Sequence, residues 1–232
     1  MCIRDSREVI ALAEGWAERT GGAFDPRLQP LIDMWDRAEQ HDVLPTPGQL
    51  SSVTADHTSL NLNGLNVNGL NLNGIAKGWI ADRAIDAAFA TSRRDITSAW
   101  LSLGGDLVHR GTGSVEVGIE DPARPYDNVA PMATIEIDNE ALATSGGARR
   151  WWTIGGKRYS KVLDPRTGLP VDSVASATVV ARNAAEADVL ATTALVLKPE
   201  ETLVLVEAEG AECFLVLADG AVVRSSDRFR RV

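Results

Sequence analysis

Beyond residue 98 this chain carries short β-like segments in blocks, with few helical patterns among them. Apolar and β-branched residues predict strands at Ala99–Leu103, Val115–Ile119, Thr134–Ile137, Ser176–Val180 and Cys213–Leu217. A helical pattern occupies Ala184–Leu197, and Pro199–Ala208 is a candidate for another helix. Because such blocks differ from the regular alternation of strands and helices in a parallel sheet, we expect an α+β fold.

The first part of the chain is predicted to be mostly helical. Apolar residues recur at helical spacing in Glu8–Arg19, Leu28–Glu39 and Ile75–Thr91, and we expect Trp79 to lie near the apolar face of the third helix. Between these helices, Ser59–Asn73 repeats an Asn-Gly-Leu-Asn unit, which favours a β-hairpin leading into the third helix. No low-complexity linker divides the chain, so we expect one domain over residues 1–232, with at most two interleaved lobes.

Composition excludes several classes of function. A hydrophobic content of 44% over 232 residues is enough for a packed core, and 23 basic against 32 acidic residues give a net charge of −9, the wrong sign for nucleic-acid binding. No apolar run approaches the roughly 18 residues of a membrane helix. The two cysteines and three histidines form no zinc or redox motif. Any bound metal is therefore expected to have oxygen ligands, as Mg²⁺ or Ca²⁺ does.

Two local patterns are candidates for binding chemistry. Asp188 and Thr192 stand four residues apart on one predicted helix face, where they form an oxygen half-site for Mg²⁺. The alternative is an acidic residue that stabilises a helix start and a threonine that bonds to the backbone. Lys77, in the first turn of the helix that follows Asn71–Gly74, is suited to phosphate or is an ordinary solvated lysine.

Glycine turns and one Asp-Pro turn supply further candidates. The turns at Thr20–Pro26, Leu103–Asp106 and Ala143–Gly147 match neither a dinucleotide-binding fingerprint nor a hydrolase elbow. In Tyr159–Pro170, a strand leads into the turn Asp-Pro-Arg-Thr-Gly, and Lys161 in front of it faces either a ligand or solvent. Spacing alone leaves these alternatives open.

Taken in order, these motifs resemble the FAD:protein FMN transferase family, often called ApbE. The resemblance runs from about Glu14 to Leu197 through TGGAFDP, NGIAKGW with Asp82, LSLGGDLVHRG, VGIEDP, ALATSG, YSKVLDPRTGLPV and ADVLATTALVL. It implies a two-lobed α+β domain similar to the T-fold, with mixed or antiparallel sheets and a few helices. It also implies Mg²⁺-dependent transfer of FMN from FAD to a Ser or Thr hydroxyl of an acceptor flavoprotein, with release of AMP.

The resemblance also implies roles for individual residues. The positions that match the family's FAD-contacting residues are Ala23, Phe24, Asp25, Asn71, Lys77 and Lys161. The positions that match its metal ligands are Gly74 through its main-chain oxygen, and Asp188 and Thr192 through their side chains. Ala191 stands where some members carry a second acidic ligand.

Lys161 departs from the family pattern, which usually has histidine at this position. A lysine is protonated near neutral pH, so it pairs with phosphate but does not accept a proton. We therefore expect Lys161 to act in catalysis by stabilising pyrophosphate charge, while the proton leaves through metal-bound water or a carboxylate. The alternative is an FAD-binding protein, or a slow FAD pyrophosphatase, without transfer activity.

The start of the chain leads to two further expectations, about the origin of its first residues and about the location of the protein. The match begins almost directly after MCIRDSR, so residues 1–7 are expected to be foreign or disordered, and the family's first strand and export signal are expected to be missing. Family resemblance implies an exported or periplasmic protein. Any membrane contact is expected only through a signal or lipid anchor that this chain lacks.

Overall fold

The structure is a computed structural model that describes residues 3–54, 69–91, 96–124, 129–146 and 151–232. The helices are α1 (Ile3–Arg19), α2 (Gln29–His41), α3 (Pro47–Thr54), α4 (Ala76–Thr91), α5 (Ala184–Val196) and α6 (Pro199–Ala208). The strands are β1 (Ser98–Leu103), β2 (Asp106–Gly111), β3 (Val115–Ile119), β4 (Ala133–Ile137), β5 (Ala141–Gly146), β6 (Trp151–Ile154), β7 (Lys157–Ser160), β8 (Val174–Ala181), β9 (Glu212–Leu217), β10 (Val222–Arg224) and β11 (Arg230–Arg231). Every strand pair among the described residues is antiparallel, which confirms the α+β prediction.

The chain forms two compact units, each built from two separate stretches. The first unit comprises Met1–Asn73 and Gly147–Asp172, and the second comprises Gly74–Gly146 and Ser173–Val232. Helix α1 begins at Ile3, so residues 3–7 are helical, which corrects the expectation of disorder there. Their foreign origin stays a prediction. None of the helices in the described ranges is long and apolar enough to cross a membrane.

The first unit packs α2 and α3 against the hairpin of β6 and β7. Trp35 of α2 stacks on Trp152 of β6 with ring centroids 5.5 Å apart, and both side chains are buried. The indole of Trp35 also donates a hydrogen bond to the Gly168 carbonyl at 2.9 Å, which ties the Asp-Pro-Arg-Thr-Gly turn to α2. A two-residue turn, Gly155-Gly156, closes the hairpin with both glycines at positive φ.

The second unit is built on a six-stranded sheet in the order β1-β2-β5-β8-β9-β10, with α5 packed against β5 and β8. Helix α5 is apolar almost all round, and nearly every residue in it is buried. Its start is defined by Asn183, whose side chain accepts a hydrogen bond from the Glu186 amide at 2.9 Å. A second sheet, in the order β11-β4-β3, packs its isoleucines around Phe214 and Phe229.

The predicted elements agree with the structure in their order, and they differ in detail. All five predicted strands are present, but Ala143–Gly147, predicted as a turn, lies largely within β5. Helix α4 buries Gly78, Ala81 and Ile85, whereas we expected its apolar face to include Trp79, which is only partly buried. Most of the predicted Asn-Gly hairpin lies at residues 55–68, outside the described residues.

Candidate active site

A lysine bridges two buried carboxylates in the second unit. Lys77 donates hydrogen bonds from Nζ to Asp106 Oδ2 at 2.6 Å and to Asp188 Oδ1 at 3.1 Å. The side chains of Asp106 and Asp188 are only 1% and 2% exposed, whereas that of Lys77 is 41% exposed. One cation therefore pairs with two buried anions, and the three side chains together carry a net negative charge when all are ionised.

Three elements bring these side chains together. Lys77 lies in the first turn of α4, Asp106 begins β2, and Asp188 lies in the second turn of α5. The turn between β1 and β2 contains Gly104 and Gly105 at φ 62° and 97°, a conformation that residues with a side chain rarely adopt. A Cβ on Gly104 would lie 3.6 Å from Cδ of Lys77, so this turn packs on the stem of the lysine.

Helix α4 holds α5 in place through two residues one turn apart. The Asp82 carboxylate accepts hydrogen bonds from the amides of Ala184 and Ala185 at 2.8 and 3.0 Å, and so caps the start of α5. A Cβ on Gly78 would overlap the Ala184 carbonyl. The two helices therefore meet backbone to backbone at this point, which sets the position of Asp188 one turn further along α5.

Burial changes the acidity of the two carboxylates. Burial raises the pKa of Asp188 to about 6, and the negative charge of Asp106 adds to the increase, while Lys77 opposes it. Burial also raises the pKa of Asp106, against the hydrogen bond and charge of Lys77. For Lys77, burial lowers the pKa, but contacts with Asp106 and Asp188 outweigh this effect, so that its pKa is raised and the lysine is charged at neutral pH.

The two carboxylates each retain an oxygen that can accept a further ligand. Among the described residues, Asp106 Oδ1 and Asp188 Oδ2 are buried and have no hydrogen-bond partner. An unpartnered buried carboxylate oxygen is costly, and a hard cation satisfies it well. The described residues include no group of three or more His, Cys, Asp and Glu side chains suited to a metal, so further ligands would be hydroxyl or carbonyl oxygens.

Two such oxygens were predicted from the sequence. Thr192 lies one turn after Asp188 on α5, and its Oγ1 lies 3.2 Å from Oγ of Ser145 on β5. Gly74 lies two residues before the start of α4. The donor set of carboxylate, hydroxyl and main-chain oxygen fits Mg²⁺, so these residues fit the group that the family resemblance implies.

The predicted flavin-contacting segment lies in the first unit. Ala23, Phe24 and Asp25 are all buried. Asp25 accepts hydrogen bonds from the amide and the guanidinium of Arg27 in a closed Asp-Pro-Arg turn, with distances of 2.8 to 3.1 Å. The Asn71 amide donates to the Pro26 carbonyl at 2.6 Å, so the structure brings Asn71 next to this segment, as both were predicted to contact FAD.

A second Asp-Pro-Arg turn in the same unit has the same internal hydrogen bonds. Asp164 accepts bonds from the amide, Nε and Nη2 of Arg166, all at 2.9 Å. Just before this turn, exposed Lys161 lies 3.4 Å from Oδ1 of Asp36 and 5.1 Å from the ring of Trp152. The Trp152 indole donates to the same Asp36 oxygen at 2.7 Å, so Asp36 holds both side chains.

Sequence reasoning missed two of these residues. Asp106 was part of a glycine turn and received no role of its own, although a carboxylate directly after two glycines at a strand end was a usable signal. Asp36 lies on α2 among other charged residues, and its sequence surroundings contain no sign that it contacts Lys161. The structure shows Lys77 and Asp188 in direct contact, which spacing alone did not predict.

Comparison with known proteins agrees with this architecture. A sequence profile described as the ApbE family matches residues 3–215. The FAD:protein FMN transferase of Escherichia coli K12 is 29% identical over 87% of this chain, and that of Treponema pallidum is 30% identical over 97%. The crystal structure of the ApbE protein from Thermotoga maritima superimposes with a TM-score of 0.79, at 27% identity, covering 98% of this chain and 78% of that one.

The fold and the site define an α+β protein in which two buried carboxylates and a partly exposed lysine form a centre suited to a hard cation and phosphate. The chain belongs to the ApbE family. It spans 62% of the length of the E. coli relative and 70% of the T. pallidum relative.

Proposed function

We propose that this protein transfers FMN from FAD to a Ser or Thr hydroxyl of an acceptor flavoprotein, in a Mg²⁺-dependent reaction that releases AMP. The observation that carries this proposal is the contact of Lys77 with buried Asp106 and Asp188, in which each carboxylate keeps one oxygen without a hydrogen-bond partner among the described residues. The relatives named FAD:protein FMN transferase support the choice of reaction.

Asp188, Thr192 and the Gly74 carbonyl would hold Mg²⁺. When bound, the ion supplies positive charge to pyrophosphate oxygens, which stabilises charge that develops in phosphoryl transfer. The open Oδ2 of Asp188 is the feature of this chain that supports a metal there.

The reaction forms one bond and breaks another at the same phosphorus atom. The acceptor oxygen attacks the FMN phosphorus in line, the phosphorus–oxygen bond to AMP breaks, and AMP leaves with the bonding electron pair. Lys77 and amides of the first turn of α4 would stabilise the phosphate oxygens. By the family resemblance, Lys161 would add positive charge that stabilises the pyrophosphate.

The hydroxyl proton needs an acceptor, because Lys161 is a cation and takes the position usually held by histidine. Asp106 is suited to this role, since burial raises its pKa and its Oδ1 has no hydrogen-bond partner among the described residues. A carboxylate with a raised pKa is a stronger base than an ordinary aspartate.

The test combines FAD, Mg²⁺ and an apoflavoprotein domain that carries an accessible acceptor threonine. We expect the acceptor to gain the mass of one FMN and flavin fluorescence in a denaturing gel, with one AMP released for each FMN transferred. EDTA should abolish labelling, and Asp188→Asn should reduce its rate about 100-fold. Glu207→Gln, an exposed change on α6, is the matched control and should label at the wild-type rate.

The alternative function gives a different product pattern in this assay. Release of AMP and free FMN without labelled acceptor would identify a pyrophosphatase. Tight FAD binding with neither product would identify a binding protein. Either result would overturn the proposed transfer.

A further inference from the structure

An open groove in the first unit runs along one edge of the β6–β7 hairpin. Its volume is about 490 Å³, within the usual range for binding pockets. All four residues of β7, Lys157–Ser160, line one wall, and Leu44, Leu50 and Leu169 are among the residues that line the rest. None of these residues belongs to the flavin-contacting set or the metal-ligand set described above.

The two edges of the hairpin differ in their backbone hydrogen bonding. On the β6 edge, the Thr153 amide donates to Oε1 of Glu39 at 2.7 Å, and the Gly155 amide donates to Oδ1 of Asp42 at 2.5 Å. The end of α2 therefore covers that edge. On the β7 edge, the backbone of Arg158 has no hydrogen-bond partner in the described part of the chain.

Strand register shows which β7 backbone groups face the groove. Thr153 pairs with Arg158, and Trp151 pairs with Ser160. Since the Thr153 amide points outward to Glu39, the groups of Arg158 also point away from the hairpin, because facing residues of an antiparallel pair share one pattern. The pattern repeats every second residue, so Ser160 also faces outward. A free strand edge of this kind is a template for an added strand.

Side chains along this edge combine aromatic surface with positive charge. The guanidinium of Arg158 lies 4.3 Å from the ring centroid of Trp151, and Nζ of Lys157 lies 5.3 Å from that of Tyr159. Neither cation forms an ion pair with a carboxylate among the described residues, and Asp172 is the acidic residue in the described lining of the groove. In a chain of net charge −9, this local excess of positive charge favours an acidic partner.

We propose that the groove binds an extended, acidic segment of the acceptor protein, which adds as a strand to β7. This inference rests on the proposed function, since it supplies the docking site for the protein substrate. Lys161 directly follows Ser160, the last residue of β7. A segment paired along β7 therefore runs toward the residue predicted to act on the pyrophosphate. Apolar side chains of the segment pack against Trp151 and Leu169, which are 39% and 49% exposed.

The first measurement is amide hydrogen exchange of the full chain with saturating FAD and Mg²⁺, with and without the apoflavoprotein domain. Strand addition should slow exchange at the Arg158 and Ser160 amides at least tenfold. The Thr153 amide, already bonded to Glu39, serves as the internal control and should change less than twofold. Unchanged exchange at Arg158 and Ser160 would overturn the proposal.

The second measurement separates the acceptor from the nucleotide. The double variant Lys157→Glu, Arg158→Glu should raise the KM for the acceptor at least tenfold and leave the Kd for FAD within twofold. The double variant Arg7→Glu, Arg37→Glu makes the same change in net charge on exposed residues of the same unit, and it should leave both constants within twofold. An equal increase in the Kd for FAD would overturn the proposal and make the groove a nucleotide site.

The two measurements distinguish failure of the docking site from failure of the proposed transfer. Protected β7 amides without FMN on the acceptor would support docking and overturn transfer. Labelled acceptor with unprotected β7 amides and an unchanged KM in the groove variant would support transfer and overturn docking. Absence of both protection and labelling would overturn both.

Discussion

Two lysine and aspartate groups in this protein have the same chemistry and similarly exposed lysines, and they differ in the burial of their carboxylates. In the second unit, Lys77 contacts Asp106 and Asp188, whose side chains are almost completely buried. In the first unit, Lys161 lies 3.4 Å from Asp36, and these side chains are 37% and 44% exposed. Water screens the exposed pair. Burial of Asp106 and Asp188 instead shifts the pKa of Asp188, and one oxygen of each carboxylate has no hydrogen-bond partner among the described residues. The comparison shows that environment, more than residue type, makes an ion pair into a binding centre.

The largest expected difference between the two groups is in their contribution to stability. Lys77→Met leaves two buried carboxylates without their cation, so the free energy of unfolding should fall by about 3 kcal/mol. Lys161→Met removes an exposed pair, and the loss should be less than about 0.5 kcal/mol. Urea denaturation at pH 7 with EDTA measures both. An equal decrease in the free energy of unfolding of the two variants would contradict the argument that burial of the carboxylates makes the difference.

A smaller change in the free energy of unfolding is expected when pH changes, because the pKa of Asp188 is raised from 3.8 to about 6 in the folded protein. Folding then favours the protonated carboxyl, so its contribution to stability is fully present below pH 4 and is lost as pH rises through about 6. In EDTA, wild-type protein should lose about 2 kcal/mol more than Asp188→Asn between pH 4 and 7. Urea denaturation at both pH values measures this difference, and parallel curves for the two proteins would contradict it.

The smallest expected effect concerns the exposed pair of Lys161 and Asp36, and it changes the rate of FMN transfer without changing stability. Lys161→Ala should reduce the rate of FMN transfer about tenfold, because the variant loses the positive charge that is predicted to stabilise the pyrophosphate, and it should leave stability nearly unchanged. Steady-state transfer and urea denaturation of the same preparation measure the two effects. A transfer rate at or above that of wild type would exclude a catalytic role for Lys161.

Much of the second unit's site could be predicted from local patterns. Asp188 and Thr192 share a helix face because they lie four residues apart, and Lys77 follows a glycine turn at a helix start. Asp106 received no role because its importance arises from contact with Lys77 and Asp188, which lie 29 and 82 positions away in the chain. Local spacing carries no information about such contacts.

The buried face of α4 shows the same limit. Apolar periodicity favoured Trp79, but the structure buries Gly78 and Ala81 instead, because the backbones of α4 and α5 approach closely there. Small residues allow that approach, and a pattern based on hydrophobicity gives them little weight. Likewise, the β6 edge is covered by Glu39 of α2 and by Asp42 directly after it, whereas the β7 edge is open. The alternation of residues in a strand cannot predict this difference, because both residues lie outside the hairpin.

The sequence by itself determined the α+β class, the order of most helices and strands, and the ordered motifs of the ApbE family. These properties follow from composition, periodicity and short-range spacing, which are local. Only the tertiary structure decided that Lys77 bridges Asp106 and Asp188, that Asp36 holds Lys161, and that β7 has an open edge. Burial and contact depend on segments far apart in the chain, and burial is what shifts the pKa of Asp188 and leaves its oxygen available.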